Sequence, residues 1–137
     1  MTIDTQRIKS YLTEIKKNAT ELRLIVETNQ LIPNSVPMKA AKYMLIEIAE
    51  ATSNILQHIL ARQKGVTVSG YIDTIIKANE HHIISDDLFK KLKPFFDFRN
   101  SLVHRYWVID DEILIQNIKK GIDDFDVFIE EIERYCA

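Results

Sequence analysis

Apolar residues recur every three or four positions along most of the chain, which is the spacing of helices that bury one face. One such pattern spans residues 4–27, a second spans 36–64, and a shorter third spans 71–79. The intervening stretches 29–37 and 65–70 contain two prolines and two glycines, and they are predicted to be loops. The first half of the chain is therefore predicted to form three helices, of which the second is the longest.

The second half of the chain continues in helices. Ser85 is followed by two aspartates, a typical helix start with a capping hydroxyl and acidic residues in the first turn. Pro94 lies inside this helical pattern and predicts a kink or a restarted helix. Residues 110–112, Asp-Asp-Glu, start the last predicted helix, in which Gly121 is a tolerated interior glycine. The buried stripe of that helix steps by 4, 3, 4 and 3 residues through Ile118, Ile122, Phe125, Ile129 and Ile132.

The composition also favours an all-α fold. Three glycines and three prolines in 137 residues are too few for an all-β protein, which needs a turn about every ten residues. With no internal repeat, the predicted fold is an antiparallel bundle of four to five helices in a single domain, 1–137. No apolar run reaches the length of a membrane span and the N-terminus lacks a signal-peptide pattern, so a cytoplasmic protein with no membrane contact is expected.

Charge and cysteine content exclude several classes of function. The formal net charge of −2 means that any contact with nucleic acid must be local. Cys136 is the single cysteine and cannot form an internal disulfide.

The adjacent pair 81–82, His-His, is predicted to lie in a surface loop, because neighbouring histidines point in different directions and no third ligand stands at metal spacing. Since there is also no Glu-x-x-His motif, no metal and no other cofactor is expected.

Four polar residues accompany the apolar stripe of the second helix. Glu47 and His58 are predicted to belong to an ordinary solvated face. Glu50 and Asn54 lie nearer the apolar stripe, where they are candidates to reach a polar site between helices. This pattern alone is a weak indication of function.

The richest chemistry lies in residues 98–107, Phe-Arg-Asn-Ser-Leu-Val-His-Arg-Tyr-Trp. Arg99, His104 and Tyr106 form an Arg-x4-His-x-Tyr pattern. The guanidinium is a fixed cation with forked donors suited to phosphate oxygens, and the imidazole exchanges a proton near neutral pH. A cation beside an acid/base group is sufficient to cleave a phosphodiester without metal. The alternative is that these cations only stabilise a helix C-terminus, and spacing alone favours that alternative because Arg-x4-His is common by chance.

The wider pattern resembles the signature of the HEPN superfamily and, within it, the HepT-like toxins of nucleotidyltransferase/HEPN toxin–antitoxin pairs. The resemblance rests on residues 98–107, with Arg-Asn and His-x-Tyr intact, and extends over nearly the whole chain. The long second helix with Glu50 is similar to the family's second helix. Ser69 and Tyr71 match a Gly…Ser-Tyr connection that follows it. Val68 stands where the family often carries a proline.

The resemblance implies a metal-independent endoribonuclease that acts as a toxin, usually as a homodimer with the motif lining a cleft at the dimer interface. Its substrate would be RNA, either transfer RNA or messenger RNA. A cognate nucleotidyltransferase would be the antitoxin, and it would adenylylate Tyr106. The resemblance makes Arg99 and His104 catalytic, with Asn100, Tyr106 and Glu50 in supporting roles.

Physical chemistry agrees with these roles, because RNA supplies its own nucleophile in the 2′-hydroxyl. His104 suits the base or the acid, Arg99 suits the charge on the phosphate, and Asn100 lies on the same helical face as His104. On one straight helix, however, Arg99 and His104 are roughly 140° apart, whereas Tyr106 is only about 20° from Arg99. Three solutions are open: Arg99 wraps around the helix, the helix bends, or two chains contribute. A two-fold dimer that places two motifs around one groove is the preferred solution. Two other functions remain open: a non-catalytic nucleotide- or nucleic-acid-binding partner of a nucleotidyltransferase, and a purely structural helical dimer.

Overall fold

The chain folds into helices packed around one apolar core in a computed structural model that describes residues 2–105 and 110–137, with backbone alone described for 102–105. The described residues contain no strand, which confirms the predicted all-α class. They form six α-helices and one π-helical turn: α1 Thr5–Glu27, α2 Val36–Ile59, the π-helical turn Leu60–Lys64, α3 Gly70–Glu80, α4 Asp86–Arg105, α5 Asp111–Gly121 and α6 Asp124–Cys136.

The first two helices form an antiparallel hairpin that is held together at its open end. The side chain of Asp4 caps α1 by accepting from the backbone N–H of Arg7 at 3.1 Å. The backbone N–H of Asp4 donates to Nε2 of His58, near the end of α2, at 2.9 Å. His58 is only 8% exposed, so the prediction that it lies on a solvated face is wrong. The start of α1 encloses the imidazole and provides its hydrogen-bond donor.

The second helix begins as predicted and ends differently. Ser35 Oγ accepts from the backbone N–H of Met38 at 3.1 Å, with Pro37 in the first turn. The predicted helix 36–64 changes to π-helical geometry from Leu60 onward. Gly65 then ends it with a left-handed φ of 63°, a conformation that glycine adopts without steric cost.

The fourth helix, which carries the first part of the motif, runs without interruption through Pro94, so the predicted restart does not occur. Pro94 is exposed, and so is Lys90, whose carbonyl Pro94 leaves without a helical partner. At the start of the helix, Ser85 Oγ accepts from the backbone N–H of Leu88 at 3.2 Å. The carboxylate of Glu131 on α6 accepts from Ser85 N at 2.8 Å and from Ser85 Oγ at 2.7 Å, which ties α6 to the start of α4.

The predicted last helix is two helices, because the chain turns at residues 122–123 between α5 and α6. This is why the described residues form six α-helices where four or five helices were predicted. Gly121 ends α5 and is required by packing: a Cβ there would lie 2.9 Å from two ring carbons of Phe95 and 3.2 Å from Asp124 Oδ2. The predicted stripe is correct in its burial, since four of its five residues are buried and Ile129 is half-buried.

The core lies between all six helices and is almost entirely aliphatic and aromatic. Among the described helices, none is long and apolar enough to cross a membrane. For the site, the relevant consequence is that α2, α3 and α4 pack against one another. Glu50, Tyr71 and Arg99, one residue from each of these helices, meet at their junction.

Candidate functional site

Arg99 is held between two other helices rather than extended into solvent. Its Nη2 donates to Oε1 of Glu50 on α2 at 3.3 Å, and its guanidinium carbon lies 3.8 Å from the centroid of the Tyr71 ring on α3. The side chain of Arg99 is 15% exposed and that of Glu50 is 47% exposed. The cation therefore sits mostly beneath the surface, with a carboxylate beside it at the solvent boundary.

The Tyr71 ring is itself supported by the core. It packs edge-on against Phe96, one turn before Arg99 on α4, with ring centroids 6.4 Å apart and planes inclined at 67°. Burial raises the pKa of the Tyr71 phenol, and the neighbouring Arg99 cation partly opposes that shift. The phenol is thus neutral at physiological pH, and its ring offers an uncharged π-face to the guanidinium.

The guanidinium of Arg99 retains donors that its described neighbours do not use. A guanidinium has five N–H donors, and the described residues accept from Nη2 alone. Nε is buried and has no hydrogen-bond acceptor among the described residues. The remaining donors of the guanidinium, on Nη1 and Nη2, are therefore the ones that can bind further acceptor oxygens, as a phosphodiester would provide.

The structure brings only some of the predicted site residues into contact with one another. Glu50 reaches the motif arginine, as its position beside the apolar stripe suggested, whereas Asn54 one turn later is exposed. Asn100 is exposed beside Arg99 on α4. His104 and Tyr106 are named in the predicted site, but their side chains lie outside the described residues.

Tyr71 was not predicted to belong to the site. In the sequence it was used only as a match to the Gly…Ser-Tyr connection that follows the family's second helix. The available signal was its place directly after Gly70, at the start of a helix that must pack on the long second helix. That signal does not say which side chain the ring will meet, since Arg99 is 28 residues away in sequence.

The chain is also anchored immediately after the motif. Asp110 caps α5 by accepting from the backbone N–H groups of Glu112 and Ile113. Asp111 accepts from Asn34 N at 3.0 Å and forms an ion pair with Lys42 Nζ at 2.6 Å. Lys42 contributes most to holding the pKa of the Asp111 carboxyl below its ordinary value. The start of α5 is thereby fixed to the start of α2.

Potential metal ligands do not converge in the part of the chain that the structure describes: no three His, Cys, Asp or Glu side chains there are grouped to hold an ion. The exposed His82 adopts a left-handed φ of 60° in the turn before α4, and His81 is half-buried. Among the described residues, the candidate site is therefore formed by Arg99 with Glu50 and Tyr71.

The arrangement of helices matches that of several solved structures. The Shewanella oneidensis HEPN toxin, solved in tri-AMPylated form in complex with MNT antitoxin, superposes with a TM-score of 0.84 over 93% of this chain and 97% of that chain, at 20% identity. The cytosolic protein YutE of unknown function from Bacillus subtilis superposes with a TM-score of 0.82 over 97% of this chain and 90% of that chain, at 16% identity. These likenesses show that the chain shares its fold with both proteins.

The sequence defines the family more closely. The model of the HepT-like ribonucleases, "Ribonuclease HepT-like", matches residues 5–132, and the chain belongs to this family. A curated relative, the tRNA nuclease HepT of Aphanizomenon flos-aquae (strain 2012/KM1/D3), is 26% identical over 88 residues. That alignment spans 64% of this chain and 60% of the relative's length.

Proposed function

We propose that this protein is the toxin of a HEPN/nucleotidyltransferase toxin–antitoxin pair and that it cleaves RNA without a metal ion. The observation that carries the proposal is the half-enclosed Arg99 guanidinium at the head of the Arg-x4-His motif, in a chain whose family is that of the HepT-like ribonucleases. The name of the curated relative supports transfer RNA as the substrate, with messenger RNA as the other candidate. The reaction takes place in the cytoplasm, where both RNAs are found.

The proposed reaction uses the nucleophile that RNA itself contains. A histidine takes the proton of the 2′-hydroxyl, the 2′-oxygen attacks phosphorus, and the bond to the 5′-oxygen breaks. The leaving 5′-oxygen takes up a proton, so that the products are a 2′,3′-cyclic phosphate and a 5′-hydroxyl. His104 supplies the proton transfers, and Arg99 neutralises the charge that builds up on the phosphate oxygens. Asn100 orients the imidazole or the phosphate.

Two copies of the chain complete the proposed site. One imidazole cannot act as base and acid in the same step, and two motifs facing one groove provide two imidazoles. A homodimer also gathers Arg99 and its partner's copy in one place, which creates local positive charge on a chain with a net charge of −2.

The proposed antitoxin is a nucleotidyltransferase that transfers adenosine monophosphate from ATP to the hydroxyl of Tyr106. The AMPylated state of the Shewanella toxin in its complex with MNT antitoxin supports this partner and this modification. An added phosphate would place an anion near Arg99 and compete with the substrate phosphate for it.

The test of the proposed function is cleavage of transfer RNA and single-stranded RNA by the purified protein. Cleavage should persist in EDTA, leave 2′,3′-cyclic phosphate ends and spare DNA, which lacks the 2′-hydroxyl. Arg99→Ala and His104→Ala should each reduce the rate by on the order of a hundredfold or more, and Asn100→Ala by less. His81→Ala is the matched control and should retain activity. Binding of RNA without cleavage would instead identify a non-catalytic partner of the nucleotidyltransferase, and loss of cleavage in EDTA would refute the metal-free mechanism.

A further inference from the structure

The two partners of Arg99 contact different parts of its guanidinium. The Tyr71 ring covers one face, with the guanidinium carbon 3.8 Å from the ring centroid. Glu50 Oε1 instead accepts from Nη2, at the edge of the group, at 3.3 Å. A phosphate binds a guanidinium through its N–H edge. Stacking on Tyr71 therefore leaves the phosphate-binding edge available, whereas the Glu50 carboxylate occupies part of it.

The two contacts also differ in how firmly they are held. Glu50 is 47% exposed and makes one hydrogen bond to Arg99, at the long end of the usual range. Water and salt compete with an ion pair of this kind. Tyr71 is half-buried and rests against Phe96, which is 2% exposed. The stacking contact is thus anchored to the core, and the carboxylate contact faces solvent.

We infer that Tyr71 and Glu50 are positioning residues that act on RNA cleavage through Arg99, an inference that rests on the proposed function. Tyr71 is a fixed platform that keeps the guanidinium in one plane whether or not RNA is bound. Glu50 is an exchangeable counter-ion: it pairs with Nη2 in the free protein and gives up that donor to a phosphate oxygen when RNA binds. Neither residue needs to touch the RNA.

The platform is tested by nuclear magnetic resonance, without RNA. The guanidinium carbon of Arg99 lies 3.8 Å from the centroid of the Tyr71 ring. The ring current should therefore shift the resonance of the adjacent Nε proton upfield from those of exposed arginines. Arg99→Lys removes this resonance and so assigns it. Tyr71→Phe should keep the upfield shift and Tyr71→Leu should abolish it. Tyr43→Leu, at an exposed tyrosine of α2, is the matched control and should leave it unchanged.

Kinetics provide the second readout of the platform. Tyr71→Leu should lower kcat/KM for RNA by on the order of tenfold, because the guanidinium is no longer held in the plane in which it meets the phosphate. Tyr71→Phe should restore most of the loss, since it keeps the ring. Circular dichroism identifies variants that have lost their fold, and Tyr71→Met replaces Tyr71→Leu if the latter does not fold.

The exchange is tested by binding of a 2′-O-methyl RNA oligonucleotide, which cannot be cleaved through its 2′-oxygen. Glu50→Gln keeps an acceptor oxygen but removes the competing charge, so its Kd should fall by roughly threefold, and the difference should shrink in high salt. Glu47→Gln removes the same charge one turn earlier on α2, and it should change Kd much less. Glu47 is a suitable control because it forms no ion pair with any described residue.

Four results would overturn the inference or separate it from the proposed function. An unchanged Arg99 resonance in Tyr71→Leu, or equal kinetic losses in the Phe and Leu variants, would refute the platform. Equal Kd values for Glu50→Gln and Glu47→Gln would refute the exchange. If the resonance and Kd behave as expected but the wild-type protein cleaves no RNA, the arrangement of Arg99 toward phosphate stands and the ribonuclease proposal fails.

Discussion

His58 is a buried imidazole that accepts a hydrogen bond, which makes the stability of the fold dependent on pH. Its pKa is lowered by burial and then by the cations of Arg62 and Arg7. The unfolded chain therefore takes up a proton at His58 at a higher pH than the folded chain does. The resulting stability is fully present above the unfolded pKa of about 6.5 and is lost as pH falls from there toward the folded value.

The first prediction is that wild-type protein loses free energy of unfolding between pH 7.5 and pH 5.5, and that His58→Gln loses less because glutamine does not titrate. Urea denaturation at the two pH values measures the difference. His81→Gln is the control and should follow the wild type. An identical pH dependence in His58→Gln and the wild type would contradict this assignment.

Gly121 gives a second prediction, concerning packing. Alanine is favoured over glycine within helices by about 1 kcal/mol, which on its own would make Gly121→Ala stabilising. Here the added methyl would lie 2.9 Å from the Phe95 ring, which is 7% exposed and cannot move aside freely. Overpacking of this kind costs on the order of 1–3 kcal/mol, so Gly121→Ala should lower the free energy of unfolding.

The control for this prediction is Gln116→Ala, on the exposed face of the same helix, which should have little effect or stabilise slightly. A smaller ring neighbour should relieve the clash, so the cost of Gly121→Ala should shrink in a Phe95→Leu background. Urea denaturation of the wild type, of Gly121→Ala, of Phe95→Leu and of the double variant gives the coupling. An additive double variant would show that Phe95 is not the residue that the methyl group meets.

Sequence reasoning found some of these residues and missed others for a common reason. Glu50 was found because its position near an apolar stripe is a local property of one helix. The burial of His58 was missed because its partner is the Asp4 N–H, 54 residues away in sequence. The stacking of Tyr71 on Arg99 was missed for the same reason. Helical periodicity shows that a residue faces inward or outward, but not which distant group it will meet.

At the scale of helices, most of the architecture was predictable. The predicted starts of the first two helices and the predicted break at Gly65 are confirmed, since Asp4 and Ser35 cap α1 and α2 and Gly65 adopts a left-handed φ. The break between α5 and α6 was missed, because the apolar spacing stays helical across it. The signal was present in Gly-Ile-Asp-Asp, 121–124: glycine is common at helix C-termini and aspartate at N-termini. Arg23 on α1 bonds Asp123 and Asp126, an arrangement that sequence does not reveal.

For the whole molecule, the dimer remains a prediction that variants can test sharply. If the site combines Arg99 of one chain with His104 of the other, the inactive variants Arg99→Ala and His104→Ala should regain activity when mixed and allowed to exchange subunits. Random pairing makes half of the dimers mixed, and each mixed dimer keeps one Arg99 and one His104 on opposite chains but only one of the groove's two imidazoles, so recovery should stay below about a quarter of wild-type activity. RNA cleavage is measured before and after mixing. No recovery, with exchange verified by labelled subunits, would show that one Arg99 and one His104 from opposite chains do not form a working site.

The last prediction concerns control by the partner enzyme. Incubation with ATP and the cognate nucleotidyltransferase should add adenosine monophosphate to Tyr106 and abolish RNA cleavage, because the added anion competes for Arg99. Mass spectrometry locates the modification. Tyr106→Phe should accept no adenylate and escape this inhibition, while Tyr43→Phe should behave as wild type. Modification at another residue alone, or full activity of the modified protein, would refute the proposal.

The Glu131–Ser85 contact has a consequence for the order in which the chain becomes structured during translation. The candidate site consists of Glu50 on α2, Tyr71 on α3 and Arg99 on α4. All three helices leave the ribosome before α6. Yet the start of α4 receives its carboxylate partner only from α6, through bonds of 2.8 and 2.7 Å. A nascent chain that has reached residue 110 therefore contains the described side chains of the candidate site. It still lacks Glu131, which hydrogen-bonds to the start of the helix that carries Arg99. The attachment of the start of α4 to the rest of the fold is therefore complete only after residues 124–136, which form α6, have been synthesised.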